Sequence, residues 1–308
     1  MSNWIIAAAD LLKPLYDILH KKLLSENILH ADETPLQVNH VKGKEKPVKG
    51  YLWVYRTGKY SDNPIVLYEY RNGRNGKYPV SFLNGFSGYL HCDGLRQYDD
   101  VKSAVRSSCF AHLRRYFLNA VNVQHNKKDY TTIAGQGFLK IQEIFHIEGR
   151  NPEKPHEKSK YTLDEIFHIR KEKSALLVAD FFKWCEEKQG LAAPKSLTGK
   201  AITYALNQRR SFHTFLQNPR LELTNNAAER SVKPVVIGRK NWLFANTEKG
   251  AQAVAVLYSI IETAKQNSLK PYDYLVWVLS SIRSMKFSDF SSFFPFSHSI
   301  PLSLRMGG

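Results

Sequence analysis

Acidic side chains are in short supply in this sequence. Only 28 Asp and Glu stand against 44 Lys and Arg in 308 residues, a formal net charge of +16. That imbalance points to a polyanionic partner, most simply nucleic acid. Cysteine is scarce too: Cys92, Cys109 and Cys185 are widely spaced and contain no CxxC pair, which excludes a disulfide framework and a zinc ribbon. No apolar run approaches the roughly 18–20 residues that span a bilayer. The opening MSNWIIAAAD lacks a basic leader and meets an acid at Asp10, a poor secretion signal. The expectation is a reduced, cytoplasmic protein without a membrane partner. What the chain does have is a core, since 43% hydrophobic and 12% aromatic residues exclude a disordered composition. Its length suggests about two domains, or one carrying a large insertion.

Apolar residues at helical spacing (Ile5, Ile6, Ala9, Leu12, Leu15, Tyr16, Leu19, Leu23) predict a helix over residues 3–24, kinked or restarted at Pro14. The period then changes. ILHADETPLQV (28–38), GYLWVYRT (50–57) and PIVLYEY (64–70) read as three strands of an antiparallel meander, separated by turn-rich stretches. A short helix near 78–84, a fourth strand GYLHCDG (88–94) and a strand running into a helix (105–120) follow. Residues 130–218 read as helical, broken by a polar loop at 149–160 and by Gly190–Pro194. LTNNAAERS (223–231) opens a helix with Thr224 or Asn225 as N-cap, and further helices are expected at 248–267 and 270–282. The Ser- and Phe-rich end has no period and is expected to be disordered.

Three strands, a short helix, a fourth strand and then a strand–helix unit is the order of the ribonuclease H-like α/β fold. The resulting division is a helical lead-in (1–27), the first part of a mixed-sheet core (28–125) and a helical insertion (126–218). A core helix (219–247), C-terminal helices (248–285) and a tail (286–308) complete it.

Phosphodiester chemistry needs an attacking and a leaving oxygen both stabilised, and two divalent ions about 3.5–4 Å apart do this. Mg²⁺ takes oxygen ligands, often one or two carboxylates with phosphate and water. Asp32 sits inside an apolar strand between Leu29 and Leu36, where a charge is costly unless solvated or coordinated. Its neighbour Glu33 points to the opposite face of a regular strand. Asp93 ends YLHC before Gly94 and reads equally as a turn aspartate. Asp99 and Asp100 are rivals in what reads as loop. Glu229 falls in the first turns of a helix, where an acid also suits the dipole. No one of these signals is specific.

Their combination is. HADETP (30–35), GYLHCDGLRQY (88–98), CFAHLRRYF (109–117) and LTNNAAERSVKPVVIGRKNWLFANTEKGAQAVAVLYSIIETAKQN (223–267) resemble the insertion-sequence-66 family of bacterial transposases, in the family's order. The resemblance covers roughly residues 25–285. It implies a ribonuclease H-like catalytic domain whose DDE triad falls on Asp32, Asp93 and Glu229, with Mg²⁺ or Mn²⁺ as cofactor. It also implies DNA as partner (terminal inverted repeats and target), a homo-oligomer, accessory proteins encoded by the same element, and a nucleoid-associated location. The helical, zinc-binding region with which such proteins usually begin is not seen here. Thr224 stands where an Asp commonly precedes the two asparagines, and the stretch after about residue 285 does not resemble the family's usual ending. Two other readings stay open: a nuclease of the same fold that hydrolyses without joining, and an inactive remnant that binds DNA through charge.

Cys109-x-x-His112 supplies two ligands where a closed zinc site wants four, so core cysteine plus helix-start histidine is the first reading. The resemblance places the motif near the active site, which makes His112, Arg114 and Arg115 candidates for phosphate contact. A solvated helix face explains the two arginines equally well. Arg230, Lys233, Arg239 and Lys240 follow Glu229, interleaved with Trp242 and Phe244. The cations suit a DNA backbone. The rings read first as core and second as a stacking platform.

Overall fold

The computed structural model describes residues 3–125, 129–153, 160–282 and 290–306. Its first half runs α1 (Asn3–Leu24), β1 (Ile28–His40), β2 (Val48–Thr57), β3 (Val66–Arg71), α2 (Lys77–Phe82), β4 (Tyr89–Cys92) and β5 (Val105–Ser108). Helices follow: α3 (Phe110–Asn122), α4 (Ile133–Ile147), α5 (Leu163–Ile169), α6 (Ala175–Gln189), α7 (Leu197–Asn207) and α8 (Arg209–His213). The chain closes with α9 (Asn226–Trp242), β6 (Ala245–Thr247), α10 (Glu248–Gln266) and α11 (Pro271–Ile282). The sheet order is β3-β2-β1-β4-β5, with β6 beside β1, an α/β arrangement of the ribonuclease H-like kind. Contacts divide the chain into two units. One holds residues 1–90, 96–104 and 227–308, the other 91–95 and 105–226.

In the first unit β1, β2 and β3 pair antiparallel as the meander predicts, with Asp32 opposite Val54 and Val54 opposite Tyr68. β6, which the sequence did not signal, adds in parallel with Val38 opposite Ala245. Because side chains alternate along a strand, Leu36 and Val38 share a face with Leu52, Val54, Val66 and Tyr68. That face packs against Val235 of α9 and Ala251, Val254 and Ala255 of α10. Gly238 allows the close crossing of α9 and α10, since a Cβ there would lie 2.4 Å from the Tyr258 hydroxyl. β3 is one edge of the sheet, and helices close it. Ser259 and Thr263 accept from the amides of Tyr68 and Val66 at 2.8 and 3.0 Å, and the Tyr16 hydroxyl donates to the Tyr68 carbonyl.

The other face of the meander is more polar. Glu33 is buried there, ion-paired with Arg74 and accepting from the Tyr98 hydroxyl at 2.9 Å. Arg74 also lies over the Tyr51 ring. Tyr55 stacks on Phe82 of α2.

Two expectations are corrected here. α1 runs unbroken through Pro14, with Ala9, Leu12, Leu15, Tyr16, Leu19 and Leu23 buried and Ile5 exposed. The tail is ordered in its described part, because scattered apolar residues are pinned by backbone bonds rather than by a periodic face. Phe293, Ile300 and Leu304 are buried. The Tyr274 hydroxyl donates to the Phe293 carbonyl at 2.5 Å, and Leu269 bridges to Arg305. Residues 283–289, 307 and 308 lie outside the described residues.

The second unit is helical around Phe117, Phe181, Phe182 and Phe212, all buried. Thr132, Thr162 and Ser196 cap α4, α5 and α7 with their side-chain oxygens, Thr162 through a capping box with Glu165. Its buried charge is concentrated at Arg170, in a π-helical turn. The guanidinium donates to both Glu148 oxygens and to the carbonyls of Phe215, Asn218 and Leu221. The predicted polar loop at 149–160 is described only at its edges.

Candidate active site

A carboxylate on the core-facing side of a strand needs partners, and β1 supplies the first one locally. Asp32 is half-buried, and one of its oxygens accepts the Glu33 amide at 2.8 Å. Strand alternation sends the two adjacent acids to opposite faces, so Glu33 serves Arg74 and Tyr98 while Asp32 shares the face of Val54 and Tyr68.

α9 lies on that same face. Arg56, two residues along β2 from Val54, sends Nη1 to the Ala227 carbonyl and the Ser231 hydroxyl, both at 3.2 Å. Its Nη2 reaches Gln266 at 3.2 Å. The Tyr68 hydroxyl donates to the Ser231 carbonyl at 2.5 Å. Burial raises the Tyr68 pKa, with Glu262 adding to the rise, so the phenol remains a donor. These bonds fix residues 227–231 of α9 against the face that carries Asp32. Glu229, half-buried, lies within that turn. The backbone turn that carries Glu229 is thus held against the sheet face of Asp32, within one unit.

Asp93 belongs to the second unit. It is half-buried, and its carboxylate accepts the Leu95 amide at 2.9 Å, closing a tight turn. Arg106 donates to its carbonyl at 2.5 Å. Gly94 lets the Tyr204 ring pack close to this turn, since a Cβ would fall 2.3 Å from the ring. Tyr204 in turn stacks on Tyr116 at 4.5 Å. In the same unit Cys109 is buried just ahead of α3, and its sulfur accepts the Asn225 amide at 3.1 Å. The Phe110 amide donates to the Leu223 carbonyl at 2.9 Å, tying the start of α3 to the residues that precede α9.

The candidate cations differ in what they already hold. Arg114 donates to Gln142 and Glu153 and covers the Phe138 ring, and burial lowers its pKa. Arg239 donates to the Pro35 carbonyl, which ties the C-terminal end of α9 to β1. Burial lowers its pKa too. His112 is half-buried on the first turn of α3, and Arg115 is exposed on the same helix. Arg230, Lys233 and Lys240 are exposed on α9. Of the two rings, Trp242 packs against the core cluster, whereas Phe244 is 40% exposed, contrary to its first reading as core.

Asp32 and Glu229 each offer only oxygen donors, which suit a hard divalent cation rather than a soft one. Sequence reasoning missed Arg56 and Tyr68. The signal was available, since Arg56 is a charge at the end of an apolar strand, the same argument that singled out Asp32.

The family model described as "Transposase IS66 family" matches residues 1–253, and one described as "IS66 C-terminal element" matches residues 259–296. The second match extends past residue 285, into the stretch that did not resemble the family's usual ending. Uncharacterized protein y4hP of Sinorhizobium fredii is 28% identical over 293 residues, 89% of this chain and 51% of that protein. Proteins y4qI and y4jD of the same organism are 29% and 28% identical, over 92% and 91% of this chain and 52% and 55% of their own lengths. The chain spans about half the length of these curated relatives. No solved structure matches it significantly.

Proposed function

Because this chain belongs to the IS66 transposase family, we propose that it catalyses cleavage and strand transfer of DNA, with Asp32, Asp93 and Glu229 as the metal-holding triad. The observation that carries the reading is the fixation by Arg56 and Tyr68 of the Glu229 turn on the sheet face of Asp32. Bound Mg²⁺ or Mn²⁺ would activate the attacking oxygen and stabilise the leaving one. The chain's own part is orientation. The Glu33 amide holds one Asp32 oxygen, the Leu95 amide holds one Asp93 oxygen, and the bolted turn sets the direction of Glu229.

In the first step water attacks the phosphorus at the element's end, and the 3′-oxygen leaves with the bonding pair and takes up a proton. In the second, that 3′-hydroxyl attacks a target phosphodiester and gives its proton to solvent as the target strand's 3′-oxygen departs. No protein–DNA covalent bond is needed. The substrates are terminal inverted repeats and target DNA, which the exposed cations on α9 would draw in. Acting on two ends calls for a homo-oligomer, and proteins of the same element are candidate accessories. The setting is the bacterial nucleoid.

Incubating the chain with 3′-labelled element ends, target plasmid and Mg²⁺ tests this. Joined products are expected from the wild type, and none from Asp93→Asn, with folding and bulk DNA affinity largely retained. Nicking without joining would make the protein a nuclease. DNA binding without metal-dependent cleavage would make it a remnant. Strand transfer retained in Asp93→Asn would remove that residue from the triad.

A further inference from the structure

Arg230, Lys233, Ile237 and Lys240 are exposed on α9 at intervals of three and four residues, so they form one stripe along the helix. Glu229 adjoins its first member. The stripe ends at an unusual turn. Leu243 holds φ at +56°, a left-handed conformation that leucine rarely adopts, and its amide donates to the Arg239 carbonyl at 2.9 Å. Trp242 packs against the core, yet the two residues after it remain outside, Leu243 at 65% exposure and Phe244 at 40%. The chain thus adopts an unfavourable backbone angle and displays two large apolar side chains at the end of a row of cations. Such a cost is usually borne where the displayed groups have a use.

We propose that Leu243 and Phe244 form an apolar tip that stacks on an unpaired base of DNA whose backbone runs along the Arg230–Lys240 stripe. Phosphates pair with the cations, independently of sequence. An aromatic ring stacks on any base once that base is unstacked, and aliphatic wedges commonly open the step beside it. From Glu229 to Trp242 the helix rises about 20 Å at 1.5 Å per residue. At about 3.4 Å per nucleotide along a strand, the engaged base lies roughly six nucleotides from the phosphate that passes level with Glu229. A protein partner would explain the apolar tip but not the cations in line with it. The inference rests on the transposase reading for the identity of the polyanion.

Binding of the full chain to a forked duplex with 2-aminopurine in its unpaired arm, compared with a blunt duplex, tests it in EDTA. The wild type is expected to prefer the fork and to quench the fluorophore. Phe244→Ala should lose the quench and about tenfold in fork affinity. Leu243→Gly, in which glycine accepts the same backbone angle, should weaken fork binding and leave blunt binding unchanged. Lys233→Gln and Lys240→Gln should each lower the salt slope by about one, with the quench intact. A wild type that neither prefers the fork nor quenches it overturns the proposal, as does wild-type behaviour in both tip variants. The assay contains no metal, so the tip can fail while Asp32-dependent cleavage stands, and cleavage can fail while fork preference stands.

Discussion

The phenol of Tyr68 donates to the carbonyl of Ser231 at 2.5 Å, and Tyr68 stands in the cross-strand row Asp32–Val54–Tyr68. One row of three strands therefore carries an acid at one position and a bolt into α9 at another. Arg56 adds a second bolt from the neighbouring row. Rigidity of this kind matters for metal-assisted chemistry, where small displacements of a ligand are costly.

Arg56→Ala removes the donors to Ala227, Ser231 and Gln266 and empties the space of the buried side chain that pins this turn of α9 to β2. Urea unfolding should register a loss of about 2–4 kcal/mol. Cleavage should fall further than DNA binding does. Arg56→Lys should recover only part of the stability, because an ammonium cannot span the same fork. Wild-type cleavage in the alanine variant would remove Arg56 from the support of the site.

Asp32 and Glu33 are neighbours in sequence with opposite assignments. Asp32→Asn should abolish metal-dependent cleavage with little change in Tm. Glu33→Gln should lower Tm, since its buried carboxylate is shared by Arg74 and Tyr98, yet leave measurable cleavage. Cleavage and thermal melting of the two variants side by side would settle the roles, and the reverse pattern would exchange them.

Arg170→Ala leaves buried Glu148 without this ion pair and takes the guanidinium donor away from three carbonyls. Loss of one member of such a pair costs about 3–5 kcal/mol. Far-ultraviolet dichroism during urea titration should show the helical unit unfolding at lower denaturant than in the wild type. An unchanged midpoint would mean that the guanidinium is not needed for stability.

The His20 Nε2 donates to the Phe82 carbonyl at 2.8 Å, and its ring lies against the Phe82 ring. Because a carbonyl only accepts, the neutral ring's Nε2 carries the proton. Burial lowers its pKa from 6.5. The folded state thus takes up its proton later than the unfolded chain does as pH falls. The contribution is complete above the unfolded pKa and declines as pH drops below about 6.5 toward the folded value. Tm should therefore fall less between pH 7.5 and pH 5.5 in His20→Gln than in the wild type. Parallel Tm curves would contradict this.

Much of the frame was readable before any coordinates. The stripe from Ala9 to Leu23 gave α1, and the runs at 28–38 and 50–57 gave β1 and β2 to within two residues. Those signals are periodic and local. Pro14 misled because its missing amide is only one bond in a helix whose apolar face is buried on both sides of it, from Ala9 to Leu23. β6 escaped because three residues carry no period, and the pairing of Val38 with Ala245 is visible only in three dimensions. The order in the tail was hidden for the same reason, since Leu304 is held by a bond from the Lys270 amide. For the candidate site, the acids could be named from motifs. The bolts that orient them could not, because Arg56 and Tyr68 reach residues more than 160 positions away.

The sealing of β3 by Ser259, Thr263 and Tyr16 has a bearing on assembly. A rim whose amides and carbonyls are already engaged offers little to an incoming strand, and extension of the sheet at β3 would first have to peel α10 and α1 away. A second copy approaching from the β3 side would then meet helices rather than an open strand.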